Sequence, residues 1–204
     1  MGKRKLFTLT IAMMTGGLLF AMAGYAAFNS PEQTGLQDFI QIQQQQKEKS
    51  LAGDSLSSAQ LSEFSIAIDA TATAEQIQAY SDDSFKKLLQ PTNERLWFVM
   101  NHGAPEGILI ANDKEPVKMG GKNRSKDLLK LYHSARGLAA NDEQIRYVEF
   151  EGQGMLLVLD GKAESVFLSQ GLASLLQLPE GQAQPKDVIA KMKARIASTS
   201  AQSE

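Results

Sequence analysis

Cysteine is absent from all 204 residues. That excludes disulfides, thiolate metal sites and thiol nucleophiles together. Histidine is scarce, with only His102 and His133. No His-x-His, His-x-x-x-His or His-Glu-x-x-His spacing occurs, so a histidine zinc site would need carboxylates from distant positions. Neither a metal nor a cofactor is expected. Charge is missing from one long run, because Leu6 to Phe28 holds no Asp, Glu, Lys or Arg. That run also lacks the cysteine that lipid attachment needs, and no paired arginines precede it as a twin-arginine signal would require.

In front of the uncharged run stand Lys3, Arg4 and Lys5. Apolar residues leave water for a bilayer or a translocon while the cations stay on the cytoplasmic side. Residues 1–28 therefore read as a signal peptide or a transmembrane anchor. Ala21-Met22-Ala23 and Gly24-Tyr25-Ala26 each offer the small-x-small pattern of a cleavage site. An anchor needs roughly 20 apolar residues, and the run is long enough. Thr8, Thr10, Thr15, Gly16 and Gly17 dilute its apolar character, which inclines the reading toward cleavage. Either way the remainder is expected in the periplasm or on the extracytoplasmic face of the inner membrane. That membrane is itself a partner if the segment stays uncut.

Lys3, Arg4 and Lys5 leave with the leader and no acid does, so the formal charge falls from −2 to about −5. A mildly acidic remainder of about 176 residues suits one domain, and it is a poor partner for nucleic acid. Residues 29–62 are rich in Gln and Ser. Gln41 and Gln43 to Gln46 crowd ahead of Lys47-Glu48-Lys49, and Gly53 and four serines follow. With only Leu36, Phe39 and Ile40 as an apolar stripe, this stretch is expected to be a polar stalk, helical from about Pro31 to Lys49, and then a linker.

Residues 63–178 read as an α+β domain. Phe64, Ile66 and Ile68 alternate as in a short strand. Thr73 and Gln76 make a capping-box pattern for a helix carrying Ile77, Tyr80, Phe85, Leu88 and Leu89, closed by Pro91. Leu96–Met100 and Gly107–Ala111 read as strands around an Asn101–Glu106 loop, with Trp97 in the core. A polar loop runs from Asn112 to Asn123, and Asn123 or Ser125 caps the next helix. Ile145–Phe150, Met155–Leu159 and Ala163–Leu168 follow as strands. Gly152 and Gly154 suit the first turn, and Asp160-Gly161 the second. Gly171–Leu178 forms a short helix stopped by Pro179. Residues 179–204 supply a C-terminal amphipathic helix from Pro185 and a tail frayed from Ala197. The fold class expected is α+β, an antiparallel sheet of about five strands with packed helices. This element order is similar to that of roadblock-type and profilin-like domains. The similarity extends to order alone, and fold does not carry function.

Three groups of side chains are candidates for chemistry. His102 sits in a turn after an apolar strand, with Glu106 close enough in sequence to orient its ring. Ser125, Ser134 and Ser169 are available hydroxyls, none in a Gly-x-Ser-x-Gly turn. Lys118, Lys122, Arg124 and Lys126 concentrate positive charge before a helix, where free amides can hold an anion. The Gly120-Gly121-Lys122 run fails as a phosphate loop, because Asn123 stands where Ser or Thr is needed. Glu149 and Glu151 point the same way on a strand end, toward solvent.

No reactive constellation is legible. The expectation is therefore an exported accessory or interaction protein of a bacterial-type cell envelope, such as a component or assembly factor of a surface, pilus or secretion apparatus. Its partners would be envelope proteins, met through a sheet edge at Ile145–Phe150 or Ala163–Leu168. The alternative is a periplasmic hydrolase or small-ligand-binding protein using His102 and the 118–126 loop.

Overall fold

The computed structural model describes residues 30–48, 56, 58–161 and 163–200. The leader with its cleavage sites, the linker residues Ser50, Gly53, Ser55 and Ser57, and the last residues 201–204 lie outside them. Among the described residues the chain is mixed α+β, with five helices and one 9-stranded, mostly antiparallel sheet.

Helix α1 (Pro31–Glu48) precedes β1 (Gln60–Leu61) and β2 (Ile66–Thr71). Helix α2 (Ala74–Ala79) leads into β3 (Leu89–Asn101), β4 (Ala104–Ala111) and β5 (Pro116–Gly120). Helix α3 (Lys122–Arg136) crosses to β6 (Ile145–Phe150), β7 (Gln153–Asp160) and β8 (Ala163–Leu168). Helix α4 (Gln170–Leu176), β9 (Gly181–Ala183) and α5 (Pro185–Ser200) complete the described chain. The strand order is β5-β4-β3-β2-β6-β7-β8-β9, and β1 pairs with the far end of β3.

Strand count exceeds expectation because β1, β5 and β9 are short and carry no alternating apolar pattern. The sheet also departs from a purely antiparallel one. β2 and β6 run parallel through Ala67–Arg146 and Ile68–Tyr147, joining two antiparallel meanders.

The helix opened by Thr73 has its capping box as expected, but it stops at Ala79. Tyr80 is already extended, and the polar run after it bonds locally to the backbone. Asp82 accepts from the Asp83 amide and Ser84 caps a 3-10 turn at Phe85–Lys87. Leu89 and Pro91 thus belong to β3. β4 stops opposite Arg95, so Pro91 lies where β3 has one open side, and a strand tolerates a missing N–H there.

The stretch expected as a loop from Asn112 to Asn123 contains β5, and Gly121 rather than Asn123 or Ser125 caps α3. Trp97 is partly exposed. Helix α5 continues through Ser200, past the expected fraying point at Ala197.

Three tight hairpins use positive φ where the turn demands it. His102 (φ 49) and Gly103 (φ 77) join β3 to β4, and Glu151 (φ 48) and Gly152 (φ 75) join β6 to β7. The third follows Asp160, which pairs with Ala163 around Gly161. Gly154 lies outside its expected turn, within β7, where any Cβ would meet the Tyr147 ring.

Alternation along the strands builds a core on each face of the sheet. One face carries Ile66, Ile68, Leu96, Phe98, Ile110 and Tyr147 under Leu128, Leu131 and Ala135 of α3. The other carries Val148, Met155, Leu157 and Val166 under α2, α4 and α5. The segment read as a stalk is helical over Pro31–Glu48, but it is packed: Leu36 and Phe39 are buried against Val99 and Leu109. The C-terminal helix is equally part of the domain, with Val188, Ile189 and Met192 buried.

Candidate functional site

Lys118 of β5 bonds Glu149 of β6 at 2.7 Å, although β4, β3 and β2 lie between their strands. In a flat sheet four interstrand steps of ~4.8 Å would hold those strands about 19 Å apart, beyond the reach of a Lys and a Glu. The sheet is therefore curled around the α3 face. At one end of the curl, beside the first turn of α3, lies a cleft of about 360 Å³. Ile68 and Ile110 are its apolar floor. Thr92 and Glu94 form one wall, and Lys118, Tyr147 and Glu149 the other.

The second wall is a connected polar network. The Arg124 guanidinium donates to the Tyr147 hydroxyl and to Glu149 Oε1, each at 2.5 Å. Tyr147 donates to the same Oε1 at 2.7 Å, and Lys118 Nζ reaches both carboxylate oxygens. Burial acts to raise the Glu149 carboxyl. Hydrogen bonds from Lys118 and Tyr147 and the Arg124 charge outweigh it and hold the group below the ordinary range. The Tyr147 hydroxyl is pushed well above its ordinary value, first by burial and then by Glu149, so it remains protonated. Glu149 is thus far from the solvent-facing acid expected, whereas Glu151 does lie at a turn, paired with Arg195 at 3.1 Å.

Asp69 also lines the cleft, largely buried, with Arg146 at 3.7 Å. Burial raises its carboxyl above the ordinary value, and the arginine offsets this only in part. Among the described residues, Glu94 forms no ion pair. A second cleft of about 310 Å³ opens on the other side of Arg124, between the first turns of α3 and α4. There Asp127 accepts from the Gln170 amide at 3.1 Å.

The basic residues singled out from sequence divide. Lys118 and Arg124 converge on Glu149, while Lys122 pairs with Glu106 at 2.5 Å. Lys126 is exposed. The charge of this segment is thus largely met by the protein's own carboxylates, which leaves less of it for an anion. His102 is fixed in its turn with Nε2 3.0 Å from the Ser58 hydroxyl, which donates in turn to Asn101. Glu106 turns to Lys122 instead, and neither His102 nor Glu106 lines the two clefts. The serines are structural: Ser125 bonds the Lys122 carbonyl, Ser134 the Lys130 carbonyl, and Ser169 caps α4.

Sequence reasoning missed Tyr147, Asp69 and Glu94, and it read Glu149 as a solvent-facing acid. The one available signal was a polar or ionisable residue inside an apolar strand, as Asp69 stands between Ile66-Ala67-Ile68 and Ala70. No protein-family model matches this chain, and no curated protein or solved structure matches it either.

Proposed function

We propose that the chain is an exported, non-enzymatic accessory protein of a bacterial-type cell envelope that acts by contact with other envelope proteins. A component or assembly factor of a surface, pilus or secretion apparatus fits this role. It works in the periplasm or on the extracytoplasmic face of the inner membrane. The carrying observation is the uncharged run Leu6 to Phe28 behind Lys3, Arg4 and Lys5.

The edges offered to a partner strand are not those expected. β6 and β8 each have two neighbours, whereas β5 and β9 end the sheet. β5 is the longer edge, with Val117 47% exposed. Strand addition along β5 is the contact this reading favours.

Intact-mass measurement of the protein from membrane and soluble fractions tests the export step. A mass short by residues 1–23 or 1–26 identifies a free exported protein, and full length in the membrane a tethered one. Full-length chain confined to the cytosol would refute the proposal. Pull-down from detergent extracts tests the second step, and a strictly solitary monomer there counts against it.

One observation favours a second reading, an extracytoplasmic small-ligand-binding protein. The cleft of about 360 Å³ falls within the range of small-molecule sites, and the 118–126 segment supplies Lys118 to its wall and Arg124 beside it. His102 has no part in this version.

A further inference from the structure

We infer that the cleft over Ile68 and Ile110 takes a small zwitterion with an apolar body, an α-amino acid or dipeptide with a free ammonium and a free carboxylate. The inference rests on the ligand-binding reading and assigns its ligand class.

The charges around the cleft are unevenly shared between its walls. On the β6 side Lys118 and Arg124 both serve a single carboxylate, that of Glu149. Two cations on one anion leave an excess of positive charge there. Lys118 is the accessible one, its side chain 42% exposed. On the β3 side Glu94 lines the cleft and pairs with no cation among the described residues. Asp69 also lines the cleft, and its charge is countered by Arg146 at 3.7 Å. With Arg124 behind Glu149, the cleft therefore has a wall of net positive charge, a wall made negative by Glu94, and an apolar floor of Ile68, Ala70 and Ile110 between them.

The spacing suits a short molecule. β2 alone separates β3 from β6, so two interstrand steps, on the order of 10 Å, divide the backbones carrying Glu94 and Glu149. Side chains entering from both walls narrow that gap to the length of an amino acid or a dipeptide. The volume lies at the low end of the range for small-molecule sites, which excludes a long peptide held entirely within it. A purely anionic ligand would meet Glu94, and a purely cationic one the Lys118–Arg124 side. Only a molecule carrying both signs satisfies both walls.

The test is calorimetric titration of the full chain in detergent with L-leucine, L-leucyl-L-alanine, N-acetyl-L-leucine and L-leucinamide. The last two each remove one charge and keep the apolar body. A free zwitterion is expected to bind at least about tenfold more tightly than either blocked form. Glu94→Gln should abolish the preference for the free ammonium over N-acetyl-L-leucine while circular dichroism stays unchanged. If a blocked form binds as well as L-leucine, or if Glu94→Gln alters nothing, the assignment is overturned. A thermal-shift panel of amines, organic acids and sugars separates the two failures. If no leucine-series probe binds but a panel member protects β3 and β6 amides from exchange, the ligand class is wrong and the binding reading survives. If nothing in either set binds, both fall.

Discussion

Gly35 lies inside α1, and a Cβ built there would sit 2.5 Å from Leu109 Cδ1, 2.9 Å from Cδ2 and 3.0 Å from Pro116 Cβ. Leu109 is fully buried and has little room to retreat. On a free helix, Gly35→Ala would stabilise by about 1 kcal/mol through helix propensity. Amide exchange in α1 requires its helical hydrogen bonds to open, so on the docked helix that gain is set against the clash. Overpacking of this kind costs about 1–3 kcal/mol. Burial of Leu36 and Phe39 contributes about 1.5–3 kcal/mol each before ordering costs, so the clash removes a large share of what seats α1. The clash of about 1–3 kcal/mol less that gain leaves about 0–2 kcal/mol, so the amides of α1 should exchange with solvent up to roughly 30-fold faster in Gly35→Ala, while those of β7 change little. In a Leu109→Ala background, itself costing about 2–5 kcal/mol, the new methyl enters vacated space and the effect should vanish or reverse. Native-state hydrogen exchange on the four proteins of this cycle is the assay. If Gly35→Ala slows α1 exchange in the otherwise unaltered chain, or acts identically with and without Leu109, the helix is not seated on the sheet and the packing argument is wrong.

Tyr147→Phe removes the hydroxyl shared by Arg124 and Glu149 but leaves their direct bond. It should cost about 1–2 kcal/mol in urea unfolding, and no loss would mean that the network is idle. Glu149 titrates below its ordinary value of 4.5, so its stabilisation is present above that pH and is lost as pH falls through the lower folded value. Glu149→Gln should accordingly be less stable than the natural chain at neutral pH, and the difference should shrink in acid. Asp69 has the opposite sign. Its carboxyl is raised from 3.8, so folding is increasingly penalised as pH climbs from there through the folded value. The stability of Asp69→Asn relative to the natural chain should rise across that window, and a flat difference would refute it. Gly152→Ala, at φ 75, should lower stability by about 1 kcal/mol, read from the urea midpoint.

Much of the fold was legible because local rules and tertiary packing agree. The alternation in Ile145–Phe150, the unbroken apolar run Met155–Leu159 and the Val188–Met192 face of α5 are strong local signals, so each element is where its pattern places it. The reading failed where a short element owes its state to neighbours. β5 contains Pro116 and Gly120 and is a strand only because β4 supplies partners. The helix reading of Phe85–Leu89 followed a helical spacing that the Ser81–Ser84 run breaks, since hydroxyl and carboxylate groups there bond the backbone. Leu36, Phe39 and Ile40 looked too few to seat the expected helix on the domain, but Gly35 and Gly107 let α1 approach so closely that a small apolar face suffices. The candidate site was the least legible part. Lys118, Tyr147 and Glu149 lie on strands that meet only through the curl of the sheet, which no spacing along the chain encodes. His102 drew attention by its residue type, and its turn is explained by a positive φ that the following glycine makes easy to share.

The parallel contact between β2 and β6 has a kinetic meaning. Ala67 and Arg146 are separated by roughly 80 residues, so closing that loop costs about 4 kcal/mol of chain entropy beyond a constant, against a ladder of two residue pairs. The hairpins on either side close over a few residues and form far sooner. The two meanders should consequently mature as separate half-sheets and zip together late. Ile68 and Tyr147 are at once the last rungs to join and two of the residues that shape the cleft. Until that final step the molecule has no cleft at all, so whatever it recognises there is recognised only by the finished protein.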